Sequence, residues 1–221
     1  MVVPGFLEKA FNSDYHDHDS KGDRYSFYTV SLGSLTLTDG RLIACDPFWY
    51  DNHKPAFAAV FPAGDFPVEL AIARIRDDER VAFARINFSP ATPVRWEIAA
   101  PEGEDPDSLE PGEIFGFPVD SGTGCFIDTH SAVEFLKFIK NDDAAYVDVM
   151  SRDLSENNEN TRSWLFWQRE GWNIAIFSSG WGDGFYASYI AYDADGKICR
   201  FVTDFNILDW PDPSKSSLRI V

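Results

Sequence analysis

Five aspartates stand where an apolar run ends or a turn begins. They are Asp46 in LIACDPF (42–48), Asp120 and Asp128 in FGFPVDSGTGCFID (115–128), Asp183 in FSSGWGDGFY (177–186) and Asp204 in VTDF (202–205). Carboxylates so placed can do three kinds of chemistry. Two of them can share a proton and act as acid and base, several can surround a hard cation, or exposed ones can meet a basic partner. An acid-based or metal-assisted enzyme would draw on Asp46, Asp120, Asp183 and Asp204 around the glycine-rich turns. A binding site would draw on Trp181, Gly182, Asp183, Asp120 and Asp128, with the indole as a wall or stacking surface.

The glycines admit two readings. Gly122 and Gly124 flank Thr123, and Gly180, Gly182 and Gly184 frame Trp181 and Asp183. Such residues permit positive φ or close backbone approach. They can therefore build tight turns whose Asp and Ser side chains bond nearby amides. They can equally line a concave site into which Asp120 and Asp183 point. PVDSGTG (118–124) looks like the Asp-Thr/Ser-Gly turn of aspartic peptidases, but that chemistry needs a second copy, and SGWGDG does not supply it. DADG (193–196) begins like a calcium loop but lacks the downstream glutamate. HDH (16–18) lies in polar sequence, and His53 and His130 stand in unrelated contexts. No metal and no cofactor are expected. Cys125 lies close in sequence to His130, but its apolar neighbour Phe126 favours a buried, inert thiol.

Thirty-six acids against nineteen Lys and Arg give a formal net charge of -17, which repels phosphate backbones and argues against nucleic-acid binding. Residues 101–113 carry six acids and no base, and 141–160 carry six acids and one arginine. Either stretch can be solvated loop, or it can steer a basic protein partner. No run approaches the roughly 20 apolar residues that span a bilayer, and the N-terminus lacks the pattern of a signal peptide. Cys45, Cys125 and Cys199 are odd in number and scattered, which suits free thiols in a reducing cytoplasm.

The elements that must hold these residues are mostly strands. YSFYTVSLGSLTLT alternates imperfectly, and the TDG turn at 38–40 makes 32–45 read as a hairpin. FPVELAIARI and RVAFARINF form a second hairpin across RDDE, and VRWEIA is a further strand. SWLFWQ, WNIAIFSS, FYASYIAYD and ICRFVTDF are strands, the last two joined by DADGK. The main helix spans about 131–140, with Val133, Leu136, Phe138 and Ile139 on its apolar face and Asp128, Thr129 or Ser131 as its cap. A short N-terminal helix is expected within 4–12. The expectation is an α+β, mostly antiparallel single domain over 1–221, with a polar connector at 14–24 and an acidic surface loop at 101–112.

The succession of ACDPF, RWE (95–97), GFPVDSGTGCFID, SGWGDGFY and a closing DF resembles the bacterial domain-of-unknown-function family 4241, from about Leu35 to Phe205. The resemblance implies one compact bacterial domain and brings no activity with it. Among functions, the composition favours a cytoplasmic acidic binding protein, of an immunity or regulatory type, over the enzyme reading.

Overall fold

The computed structural model describes residues 5–18, 21–51, 54–110, 113–141, 151–156, 158–159 and 161–210. His53, residues 111–112 of the acidic loop and 142–150 of the second acidic stretch lie outside the described residues. The architecture is α+β and mostly antiparallel.

The larger sheet has seven strands, β1 (His16–His18), β2 (Arg24–Leu37), β4 (Gly64–Ile75), β5 (Asp78–Asn87), β6 (Arg95–Ile98), β12 (Ser188–Tyr192) and β13 (Ile198–Asp204), in the order β1-β2-β4-β5-β13-β12-β6. The second sheet has β3 (Leu42–Cys45), β8 (Thr123–Asp128), β9 (Trp164–Arg169) and β10 (Trp172–Ser178), in the order β3-β8-β10-β9. A two-stranded ribbon pairs β7 (Phe117–Val119) with β11 (Gly184–Tyr186).

Strand periodicity sorts the apolar side chains into layers. Leu35 and Leu37 of β2, Val68, Leu70 and Ile72 of β4 and Phe201 of β13 meet Phe126 of β8 and Phe177 of β10 between the two sheets. Phe126 lies edge-on to both Phe177 and Phe201, with centroids 4.9 and 5.3 Å apart. The alternate residues of the seven-stranded sheet, Phe27, Ala71, Phe83 and Tyr189, pack with Phe6 and Leu7 of α1 (Phe6–Lys9) on its outer face. Cys125, Ile127, Ile174 and Ile176 face α2 (Thr129–Asn141) on the outer side of the four-stranded sheet. Asn173 ties the two sheets together: its Nδ2 donates to the Ser34 carbonyl at 3.2 Å, and its Oδ1 accepts from the Thr36 amide at 3.0 Å.

Several expectations need correction. The 38–40 turn is present, but β2 and β3 do not pair: β2 bonds to β4, and β3 bonds to β8 in the other sheet. The turn carries the chain between sheets because both faces of β3 are needed inside, and all four of its residues are buried. The polar segment 14–24 is not only a connector, since its HDH triplet forms the edge strand β1. FYASYIAYD is two strands serving two sheets. The short N-terminal helix does form within 4–12, as the single turn Phe6–Lys9. On α2 the inward face is Ala132, Phe135, Phe138 and Ile139, while Val133 is 51% exposed. Its cap is Asp128, whose Oδ1 accepts from the His130 amide at 2.9 Å.

Candidate functional site

The two glycine-rich turns meet. The Ser179 amide donates to the Gly122 carbonyl at 3.0 Å, and a Cβ at Gly122 would lie 3.6 Å from the Gly182 Cα. Two glycines in this pair answer different needs. At Gly180, with φ of 51°, an added Cβ would run into the Phe205 carbonyl oxygen, so a bare backbone is required for close approach. At Gly182 nothing lies within 4 Å, and the need is conformational, since φ is 109°. The Gly182 amide closes the turn on the Ser179 carbonyl at 2.7 Å, and the Tyr186 hydroxyl donates to the Gly182 carbonyl at 2.7 Å.

Asp46 staples a third loop to this pair. Its Oδ2 accepts from the amides of Asp120 and Ser121 at 3.0 and 2.8 Å. Its Oδ1 accepts from the Ser121 hydroxyl at 2.7 Å and from the Phe48 amide at 2.9 Å, which caps a 3₁₀ turn over Pro47–Trp49. Four donors on a carboxylate only 3% exposed leave no free face for a substrate. What the staple achieves is placement. It fixes Trp49, 65% exposed, beside the exposed Asp120. A groove of about 730 Å³ opens there, lined by Phe48, Trp49, Asp120 and Ser121 together with Leu154 and Ser155.

The remaining candidates divide by burial. Asp128 is fully buried; its Oδ2 accepts from the Thr38 amide at 3.1 Å in addition to its capping bond. Burial pushes its carboxyl above the usual range, partly offset by those amide bonds. Asp204 is 1% exposed and accepts from the Asn206 amide at 2.8 Å and the Trp210 indole at 2.7 Å. Burial pushes it up to about 6. Both acids are internal fasteners. Asp183, in contrast, is exposed, as is Asp120. The turns are brought together, but the two acids do not converge on one cavity: Asp120 lines the groove beside Trp49, whereas Asp183 is exposed and is not among its lining residues.

Trp181 is 53% exposed and lies flat against Arg80, whose guanidinium carbon is 4.3 Å from the ring centroid. Arg80 is itself held, with Nη1 donating to the Gly180 carbonyl at 3.1 Å and Nε to Asp78 at 3.0 Å. The indole is thus a preset platform. Phe185, 48% exposed, lies on β11 opposite Pro118 of β7, with its ring against the bare backbone of Gly116. Trp49, Arg80 and Phe185 were not singled out from sequence. The aspartate-proline step before FWY was the available signal for Trp49, because the tight capped turn lets Phe48 and Tyr50 pack inward while the residue between them, Trp49, is left exposed. The Arg80 stack depends on a pairing of distant segments.

Next to the turns lies a knot of charge that is fully used. Glu79 Oε2 accepts from the Tyr28 hydroxyl and from Arg162 Nε, each at 2.7 Å, and Oε1 accepts from Arg74 Nε at 2.7 Å. Burial works against its charge, but these three donors outweigh that and hold the carboxyl near 2. Cys125 does not meet His130. Its Sγ lies 3.5 Å from that of Cys45 directly across the β3–β8 pair, whereas His130 is exposed on α2. Burial, reinforced by Cys45, pushes the Cys125 thiol well up. Cys45, Cys125 and Cys199 are all free and buried. Among the described residues no three His, Cys, Asp or Glu side chains gather as a metal site, and no helix is long and apolar enough to cross a membrane.

The family described as "Protein of unknown function (DUF4241)" matches residues 35–203, which is more than half of the chain. The chain belongs to that family. The matched stretch contains every residue of the joined turns and of the Asp46 staple. No curated protein and no solved structure matches the chain.

Proposed function

We propose that this protein is an acidic binding protein, of an immunity or regulatory type, that works in the cytoplasm and docks a basic protein partner on the surface built by the joined glycine turns. The observation that carries the reading is the exposure of aromatics and acids on the joined turns: Trp49 and Asp120 line one groove, and Trp181, Asp183 and Phe185, all exposed, lie within five residues of one another along the second turn. Large exposed aromatics are favoured anchors at interfaces. A formal charge of -17 supplies the complementary field for a cationic partner. Of the carboxylates an acid-based enzyme would use, Asp46 and Asp204 have both oxygens occupied by internal donors, which leaves the exposed Asp120 and Asp183, the same two acids the docking surface uses.

The test is site-specific photo-crosslinking in cells. A photoreactive phenylalanine analogue replaces Trp181 or Trp49, with Val94, 64% exposed, as the control position. The expected result is an adduct with one basic protein from positions 181 and 49, absent from 94 and abolished by Asp120→Lys with Asp183→Lys. Equal labelling from position 94, or none from 181 and 49, overturns the reading.

A further inference from the structure

Bases are scarce in this chain, yet His16, Arg24, Arg74 and Arg76 line one surface recess of about 270 Å³, together with the hydroxyl of Ser26. The sheet register explains the convergence. His16 sits opposite Ser26, and Ser26 sits opposite Arg74, so three adjacent strands present one row of side chains. Arg24 lies two residues from Ser26 along β2 and shares its face.

The groups around the recess are accounted for. Arg74 is fixed by Glu79 at 2.7 Å and by the Tyr28 ring, whose centroid is 5.1 Å from its guanidinium carbon. Arg76 pairs with Asp23 at 2.8 Å while remaining 77% exposed. Asp17, between the two histidines, accepts from the Tyr15 hydroxyl and the His18 amide. Among the described residues Arg24 carries no ion pair.

A second observation points the same way. Arg76 is the first central residue of the two-residue loop joining Ile75 to Asp78, and its φ is 56°. Positive φ at that position favours glycine, so an L residue there is strained. Its guanidinium, paired with Asp23, lines the recess beside Arg24 and Arg74.

We propose that this recess binds a small phosphate-bearing anion, with Arg24, Arg74 and Arg76 as guanidinium donors and Ser26 and His16 completing the cradle. A carboxylate is satisfied by one guanidinium fork, whereas a phosphate group has acceptors for donors arriving from several directions. The recess, at about 270 Å³, has room for two linked phosphate groups, so inorganic pyrophosphate serves as the probe. The assignment goes beyond the docking surface and uses none of its residues.

Isothermal titration calorimetry on the full chain tests it, with inorganic pyrophosphate as the probe and sulfate as the control. The expected result is saturable binding at one site, with sulfate at least tenfold weaker. Arg24→Gln should weaken pyrophosphate at least tenfold. Arg76→Gly should do the same while holding or raising the melting temperature, because glycine suits the turn. Equal affinity for pyrophosphate and ADP would identify the free diphosphate as sufficient, and tighter ADP binding would identify a nucleotide. Absence of saturable pyrophosphate binding overturns the proposal. So does affinity unchanged in both variants, with Arg76→Gly lowering the melting temperature.

Discussion

The joined glycine turns and the Glu79 knot are neighbours built from the same ingredients: arginine, carboxylate and aromatic ring. In the knot, Tyr28, Arg74 and Arg162 all converge on one carboxylate that is 6% exposed. At the turns, Arg80 and the backbone hold Trp181 in place, and Asp183 stays in solvent. The contrast separates two uses of charge. A carboxylate whose lone pairs are filled by its own chain is a fastener, and removing it strands its partners. A carboxylate left in water beside a braced indole contributes little to folding and is free for another molecule.

The contrast is sharpest under mutation. Glu79→Ala leaves Arg74, Arg162 and Tyr28 without their common acceptor and should destabilise by about 3 kcal/mol, read from denaturant midpoints. Gly180→Ala should come next, at about 2 kcal/mol or more, because a positive φ and a clash with the Phe205 carbonyl act together. Gly182→Ala, with open space around it, should cost about 1 kcal/mol. Asp183→Asn should change stability by less than about 0.5 kcal/mol. A loss at Asp183 comparable to that at Glu79 would erase the distinction between the regions.

Acidity provides a further test, since Asp204 and Glu79 are displaced in opposite directions. Burial raises Asp204 from 3.8 to about 6, so its contribution is fully present below 3.8 and is lost as pH rises through 6. Its charged form costs on the order of 2–3 kcal/mol above that point. The raised Asp128 acts in the same sense. Glu79 is lowered from 4.5 to about 2, so its contribution is present above 4.5 and is lost as pH falls through 2. Thermal stability should therefore rise as pH drops from 7.5 to about 5 and fall again below about 4. Asp204→Asn should flatten the first limb and Glu79→Gln the second, each measured as the slope of melting temperature against pH.

Much of the fold was readable because its signals are local. The β4–β5 and β12–β13 hairpins announce themselves by paired apolar runs across polar turns, and α2 by its cap and periodicity. The missed feature, the crossing of 38–41 from one sheet to the other, leaves no local mark. A turn between strands looks the same whether its arms pair or part, and β3 and β8, buried on both faces, lack the alternation that would reveal a side. At the site, the meeting of the two glycine turns was legible from their shared composition. The fates of the aspartates were not. Asp46, Asp128 and Asp204 look like Asp120 and Asp183 in sequence, and only partners up to 90 residues away decide which are fasteners.

The acidic loops and the docking surface should also separate kinetically. Neutralising the acids of 102–113 should slow association with the cross-linked partner at low salt and leave dissociation nearly unchanged. The most direct measurement of the central claim is the dissociation rate of that purified partner from the wild type, Trp181→Ala and Asp183→Asn, taken beside their melting temperatures. The account predicts at least a tenfold faster dissociation in each variant, with melting temperatures within about 2 °C of wild type. Unchanged dissociation in both variants, at unchanged stability, would contradict it.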